Sequence, residues 1–233
     1  MHQFYCPALL EGEMDLPEEE AHHASAVLRL AAGTRIGLVD GLGSRAIAEL
    51  VQVGKRGVTA MVVERVVVAT ERVARIHLAV APTKQMDRYE WFVEKAVEIG
   101  VDRITPLITE RTERGKLRID RLQRVAISAM KQSQRAWLPR IDELTTVERL
   151  LAEELPQQRL FGWCEGEHTS LMQRYHPASD AVVLIGPEGD FTAEEAEQFR
   201  AANFNAVSIG SARLRTETAA LTASTWMSLA QQR

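Results

Sequence analysis

Leu184-Ile185-Gly186-Pro187-Glu188-Gly189-Asp190-Phe191-Thr192 is the stretch on which the fold class turns. It begins inside an apolar, β-branched run, Ala181 to Ile185, of the length expected for a buried strand. Gly186 and Gly189 then bracket a loop that brings bare backbone close to whatever lies above the strand. Thr192 with Glu195 three residues on reads as a capping box, so a helix is expected from Thr192 to Ala202. Strand, glycine loop and capped helix in that order belong to an α/β sheet, where ligands sit outside the carboxyl ends of strands. The loop lacks a Lys-Ser/Thr ending and is not a phosphate P-loop. A tight strand-to-helix turn is the plain structural alternative.

The same grammar recurs on either side. A strand over Ala206–Ile209 runs into Gly210-Ser211-Ala212-Arg213-Leu214-Arg215-Thr216-Glu217-Thr218-Ala219-Ala220. Thr216 suits an N-cap and Glu217 the positive end of a helix from Thr216 to Gln231. A capped terminal helix accounts for those two residues, but not for two arginines beside a second glycine loop. Phe161-Gly162-Trp163-Cys164-Glu165 is a third strand end of this kind. Three such loops late in one chain point to one composite site.

Upstream, Ile76–Ala81 and Ile104–Ile108 read as strands, and Tyr89 to Ile99, closed by Gly100, as a helix. Leu122 to Ser133 marks another helix, ended near Pro139, and Val147 to Leu155 a further one. This alternation implies a mostly parallel sheet with helices on both faces. The first seventy residues differ. They read as a helix from Glu18 to Leu30, a strand from Thr34 to Asp40, an ambiguous stretch from Ser44 to Val53, a turn at Lys55-Arg56-Gly57 and a β-rich run from Val58 to Val68. Thr70-Glu71-Arg72 reads as the linker. The expected architecture is therefore two domains, 1–71 β-rich and 72–233 α/β.

Asp40-Gly41-Leu42-Gly43-Ser44-Arg45-Ala46 fits the G-x-G-x-x-A fingerprint of dinucleotide sites, with Glu64 near the place of a ribose-binding acid. A class I methyltransferase or NAD(P)-dependent enzyme using the Gly41–Ala46 loop is thus a rival reading. The short distance from Gly43 to Gly54 favours a hairpin with a glycine-rich turn instead.

Composition is ordinary for a globular chain of 233 residues, 45% hydrophobic and 26% charged. With 28 basic and 32 acidic residues the net charge is −4, which excludes a uniformly basic nucleic-acid binder. Charge is nevertheless uneven: from Arg103 to Arg140 ten basic residues face three acidic ones. Arg111, Arg114, Lys116, Arg118, Arg121, Arg124, Lys131, Arg135 and Arg140 belong to that stretch, which suits a phosphate backbone or a solvated helix face. No apolar run approaches the ~20 residues that span a bilayer, and no signal peptide is evident. Cys6 and Cys164 lie far apart, and no metal-ligand spacing occurs. His22-His23, His168 and His176 have no metal partners in the sequence, so no metal site is expected. A cytoplasmic protein is the expectation.

Gly186-Pro187-Glu188-Gly189, Phe191-Thr192 and Leu214-Arg215-Thr216-Glu217-Thr218-Ala219 together resemble the bacterial 16S ribosomal RNA uridine-N3 methyltransferase family of the SPOUT superfamily. His22-His23 with Val27-Leu28-Arg29-Leu30 agrees in order, as do Lys84, Glu90-Trp91, Lys95-Ala96 and Glu98. Thr109-Glu110-Arg111, Lys131-Gln132-Ser133 and Leu138-Pro139 follow, so the resemblance spans nearly the whole chain. It departs at Asp190, where the family commonly has glycine, and at Ser211-Ala212-Arg213, which replaces a proline-bearing stretch.

The resemblance implies an N-terminal PUA-like β-barrel that binds RNA and a C-terminal α/β methyltransferase domain tied in a trefoil knot. It implies S-adenosylmethionine bound by Phe161, Gly162, Trp163, Leu184, Ile185, Gly186, Pro187, Glu188, Gly189, Ile209, Gly210, Leu214, Arg215, Thr216 and Thr218. Arg215, Glu188 and Glu217 are then the candidate catalytic residues. His23, Arg29, Lys84, Arg111, Lys131 and Arg135 are the candidate contacts to 16S rRNA or the small ribosomal subunit. A homodimer is implied as well, with Leu221, Thr225, Ser228 and Leu229 of the last helix as its stripe. A non-catalytic RNA-binding protein is the remaining alternative.

Overall fold

The computed structural model describes residues 1–54, 57–70, 72–113 and 115–232. It divides into two compact units, Met1–Thr70 with Ile127–Leu138, and Glu71–Ala126 with Pro139–Arg233. A single cut after residue 71 therefore does not account for Ile127–Leu138, which belongs with the first unit. The expected turn at Lys55-Arg56, the linker residue Glu71 and the basic residue Arg114 lie outside the described residues.

In the first unit, β1 (Gln3–Tyr5), β2 (Glu13–Asp15), β3 (Arg35–Val39), β4 (Ser44–Gly54) and β5 (Gly57–Val67) form one sheet in the order β1-β3-β4-β5-β2. β1 runs parallel to β3, and the other pairs are antiparallel. The ambiguous stretch from Ser44 is a strand because Ala46, Ala48 and Leu50 are buried at a period of two. Register shifts after Ile47 and Leu50 mark where the β4–β5 pairing is interrupted. Helix α1 (Glu18–His22) passes into a π-helical turn, His23–Val27. It ends short of the expected Leu30, since Arg29 takes a left-handed φ of 52°. Ala21 and Ala24 face a core that includes Phe4, Ile36, Leu38 and Val58.

The loop between β3 and β4 is not a nucleotide fingerprint. The element after it is an antiparallel strand rather than a crossover helix. The Leu42 and Ser44 amides donate to Asp40 Oδ1 at 2.7 and 2.8 Å, so a protein carboxylate already holds the donors a phosphate would need.

The second unit alternates as expected, through β6 (Ile76–Val80), α2 (Met86–Ile99), β7 (Arg103–Ile108), the first part of α3 (Ile119–Gln132), β8 (Arg140–Ile141), β9 (Thr145–Thr146) and α4 (Val147–Leu151). Then come β10 (Gln158–Gly162), α5 (Leu171–Arg174), β11 (Ala181–Ile185), α6 (Ala193–Ala201), β12 (Asn205–Val207) and α7 (Thr216–Ala230). The strands are parallel, in the order β12-β10-β11-β6-β7-β8, with β9 also on β7. β6 and β11 are buried at every position, as strands covered on both faces must be. α4 stops at Leu151, short of Leu155, and the last strand is Asn205–Val207, not Ala206–Ile209. Along α7 the buried face is Ala220, Ala223, Ser224, Met227 and Ser228. Ser228 thus leaves the proposed outer stripe, whose Leu221 and Thr225 are half-buried and whose Leu229 is 55% exposed. Among the described residues no helix is long and apolar enough to cross a membrane.

His77, inside β6, is the one imidazole in this sheet. Its Nε2 lies 2.7 Å from Thr105 Oγ1, and Thr105 in turn donates to the Asp142 carboxylate. Nδ1 is buried with no hydrogen-bond partner among the described residues. Burial, then the Arg103 charge, push the imidazole down to about 3, against the opposing pull of Asp142. A depressed histidine stabilises the fold above its unfolded value of 6.5, and that stability is lost as pH falls toward 3. Lowering the pH from 7 to 5 is expected to remove about 2 kcal/mol through this residue. Denaturant unfolding of wild type and His77→Gln should show that slope in wild type and a flatter one in the variant.

Candidate active site

Because β12, β10 and β11 are neighbouring parallel strands, the loops that leave them emerge side by side at their carboxyl ends. Phe161 pairs with Leu184 and Gly162 with Val207, so the strands terminate nearly level. At Gly162 a Cβ would meet Ile209 Cδ1 at 2.8 Å, so the absence of a side chain lets Ile209 close over the strand end. The Thr216 hydroxyl donates to the Gly186 carbonyl at 2.9 Å and ties the start of α7 to the loop after β11.

Asp190 joins the same loop to the one after β10. It keeps the left-handed backbone a glycine would favour, with φ 65°. Its Oδ1 accepts from the Phe191 amide at 2.8 Å, and its Oδ2 from the Cys164 amide at 2.9 Å. The departure from the family pattern is therefore a staple between two loops. Burial and the Asp190 charge push the Cys164 thiol up, against the opposing charge of Arg213, which keeps it a thiol rather than a nucleophilic thiolate.

The capping box forms as expected: the Glu195 amide donates to Thr192 Oγ1 at 3.2 Å and the Thr192 amide to Glu195 Oε2 at 2.9 Å. Glu195 also accepts from the Glu110 amide at 2.8 Å through Oε1. Arg111 donates to the carbonyls of Gly189 and Phe191. Thr109-Glu110-Arg111, after β7, is thus a buttress for the β11 loop. Arg111 is exposed and its partners are neutral carbonyls, so bracing the loop stands beside the expected RNA contact rather than in place of it. No local signal distinguishes those roles, because its partners lie about eighty residues away.

The candidate ligand contacts separate into two groups. Phe161, Leu184 and Ile185 have their side chains in the core, Phe161 edge-on to Phe199 with ring centres 5.3 Å apart. Trp163, Pro187 and Ile209 are also buried, and Leu214 is half-buried. Glu188, Gly189, Gly210, Arg215 and Thr218 are exposed. A Cβ at Gly189 would find only Arg111 Cδ within 4 Å, at 3.8 Å, and one at Gly210 only Leu214 Cδ1, at 4.0 Å. Bare backbone at both positions is open to approach. Of the candidate catalytic carboxylates, Glu217 is buried with Arg88 Nε 4.0 Å from its Oε1, whereas Glu188 is exposed. Among the described residues no group of three or more His, Cys, Asp or Glu side chains is placed to hold a metal.

Much of the basic stretch is balanced by acids, some within it and some from elsewhere in the chain. Arg121 meets Glu90 at 2.6 Å, Arg103 and Arg140 both meet Asp142 at 2.6 Å, and Arg103 also meets Glu153 at 2.6 Å. Arg118 and Arg124 share Asp120, and Lys84 pairs with Glu113 at 2.9 Å. Lys131 is directed at Glu20 at 2.5 Å, both side chains largely buried. Its charge is therefore compensated by a carboxylate of the same unit. His23 lies edge-on to Phe4 with ring centres 6.1 Å apart, Arg29 is exposed and Arg135 is half-buried.

A family model described as an RNA methyltransferase domain matches residues 46–228, and an RNA methyltransferase PUA domain model matches residues 16–62. A Rickettsia conorii protein named ribosomal RNA small subunit methyltransferase E is 30% identical over 209 residues, 88% of this chain and 85% of the relative. A solved structure of a probable rRNA-methyltransferase from Porphyromonas gingivalis superposes with a TM-score of 0.92 at 38% identity, covering 99% of this chain and 98% of that one. A ribosomal RNA small subunit methyltransferase E from Neisseria gonorrhoeae, bound to S-adenosyl methionine, superposes with a TM-score of 0.89 at 31% identity, covering 99% and 98%.

The buttress has a direct test. Arg111→Ala removes the donor to two loop carbonyls, worth about 1 kcal/mol at an exposed position. Hydrogen exchange at Asp190 and Phe191 should quicken several-fold, while exchange in β6 and β11 stays at wild-type rates. Unchanged exchange in the loop would show that Arg111 is not what holds it.

Proposed function

This chain belongs to the RNA methyltransferase family, and we propose that it methylates N3 of a uridine in the 16S RNA of the small ribosomal subunit, using S-adenosylmethionine. The observation that carries the reading is the set of three strand-end loops, stapled by Asp190 and Thr216, that leaves the backbone of Gly189 and Gly210 open. The donor set suits that cofactor, since exposed glycine backbone admits a flat adenine closely and the buried Trp163, Ile209 and half-buried Leu214 supply apolar surroundings. Gly186, Pro187, Gly189 and Gly210 would hold it through their backbone. When bound, S-adenosylmethionine supplies an activated methyl group, so the protein contributes positioning and electrostatics.

Uracil N3 lies between two carbonyls and carries a proton at neutral pH, which must leave as the new bond forms. Arg215, exposed at the start of α7, stabilises negative charge developing on a uracil carbonyl. Glu188, exposed in the β11 loop, accepts the proton. Glu217, buried and faced by Arg88, positions the helix start instead. N3 is a pairing-edge atom, so the target base is unpaired or extruded when it reacts. The reading includes the trefoil knot, a cytoplasmic location and a homodimer formed through Leu221, Thr225 and Leu229 of α7.

Nucleoside mass spectrometry of 16S rRNA from a deletion strain tests the activity. 3-Methyluridine should vanish and return on complementation, and its persistence in the deletion strain would refute the reading. Gly189→Val should fail to complement and lose S-adenosylmethionine binding by calorimetry, because φ there is 98° and a β-branched residue strains that backbone. Arg215→Ala should keep cofactor binding while kcat falls roughly a hundredfold. For the dimer, Leu221→Glu with Leu229→Glu should sediment as a folded monomer with little activity; a fully active wild-type monomer at nanomolar concentration would exclude it.

A further inference from the structure

Trp137 lies in the segment after α3 that belongs to the first unit, and the chain fixes it from both sides. The Gly43 amide donates to the Ala136 carbonyl at 3.0 Å, and the Leu138 amide donates to the Gly41 carbonyl at 2.9 Å. These two bonds bracket a bridge between Trp137 and Leu42. The Gly43 carbonyl accepts from Val68 N at 2.7 Å, and Asp40 holds the loop amides from within. At Gly43, with φ 99°, a Cβ would lie 2.4 Å from Trp137 Cζ2, so only a glycine lets the indole rest against this loop. The second glycine of the apparent nucleotide fingerprint therefore serves a tryptophan. Yet Trp137 is 40% exposed, and Leu42 beside it is 70% exposed. A hydrophobic contact made only for stability would bury both.

The charges around this corner are mainly positive. Arg45 donates to the Gln134 carbonyl and Arg65 to the Ser44 hydroxyl at 3.2 Å, neutral acceptors that leave their charge in place. Against them stands Glu64, which lines the hollow shared by Arg45 and Gln134, while the Asp40 carboxylate is turned onto its own loop. A rigid, part-exposed aromatic ring among arginines is how proteins hold unpaired nucleotides, the base stacking on the ring and the phosphates meeting the cations. An acidic or neutral surround would have favoured a protein partner instead.

We propose that Trp137, flanked by Leu42, is a stacking platform for an unpaired base of the RNA substrate, with Arg45 and Arg65 holding the adjoining phosphates. This rests on RNA being the substrate. It adds a contact in the first unit at a position no motif singles out.

The test uses the full chain and a single-stranded oligoribonucleotide carrying 2-aminopurine. Wild type and Trp137→Phe should quench the probe and bind it with similar affinity, since both rings stack. Trp137→Leu, apolar but unable to stack, should bind about tenfold more weakly, lose the quenching and raise KM for ribosomal RNA. Its calorimetric affinity for S-adenosylmethionine should match wild type, which separates a lost platform from a damaged fold. Arg65→Ala should make the salt dependence of binding shallower by about one unit. Wild-type RNA affinity in Trp137→Leu overturns the platform while leaving the methyltransferase reading intact. A change in sedimentation with unchanged RNA affinity also overturns it, in favour of a protein contact. A wild-type enzyme that neither binds nor methylates ribosomal RNA would refute both.

Discussion

The hydroxyl of Thr216 and the carbonyl of Gly186, thirty residues apart in the chain, meet at 2.9 Å in a buried setting. Neither group has water to fall back on, so breaking the pair leaves a buried acceptor unsatisfied at about 1–3 kcal/mol. Through that bond the last helix starts where the glycine loop after β11 begins, with the exposed Arg215 immediately before it. Asp190 adds the second tie, to the Cys164 amide. The sheet puts three loop ends at one edge, and these two bonds set the spacing between them. The resulting site is made of backbone, and backbone is only as well placed as the bonds that hold it.

Around this assembly the molecule uses charge internally to a degree that counts of lysine and arginine do not suggest. Asp142 receives Arg103, Arg140 and the Thr105 hydroxyl, while Lys131 is directed at Glu20. The Arg103–Asp142 and Lys131–Glu20 pairs, largely buried, are weak sources of net stability, because desolvation offsets their attraction, but removing one partner is severe. They act here as registration devices between β7 and the segment after β8, and between α1 and α3. The consequence for function is a basic surface much smaller than the middle of the chain advertises.

The Gly41–Ala46 loop illustrates how one local pattern admits two uses. Glycines at a strand end allow close approach of whatever is there, whether a phosphate or a protein group. Here Asp40 takes the amides and Trp137 takes the space over Gly43. The fingerprint specifies an absence of side chains, and only the surroundings say what fills the absence.

Much of the second unit was legible from residue order alone. The strand–loop–helix pattern, the Thr192–Glu195 capping box and the closing glycine of α2 all depend on interactions within one turn or one strand, which neighbouring residues determine. The three glycine loops could be recognised for the same reason. The first unit is less legible: Ser44–Val53 offers apolar residues to both a helical and a β period, and the antiparallel partners on both sides decide for the strand. The tertiary structure alone decided that Arg111 braces a loop 78 residues away and that Lys131 is neutralised 111 residues away. It alone turned Asp190 from a departure into a staple. Local sequence dictates backbone shape because its forces act over a few residues, whereas the partner of a charge or a buried amide is whichever group the folded chain brings within 3 Å.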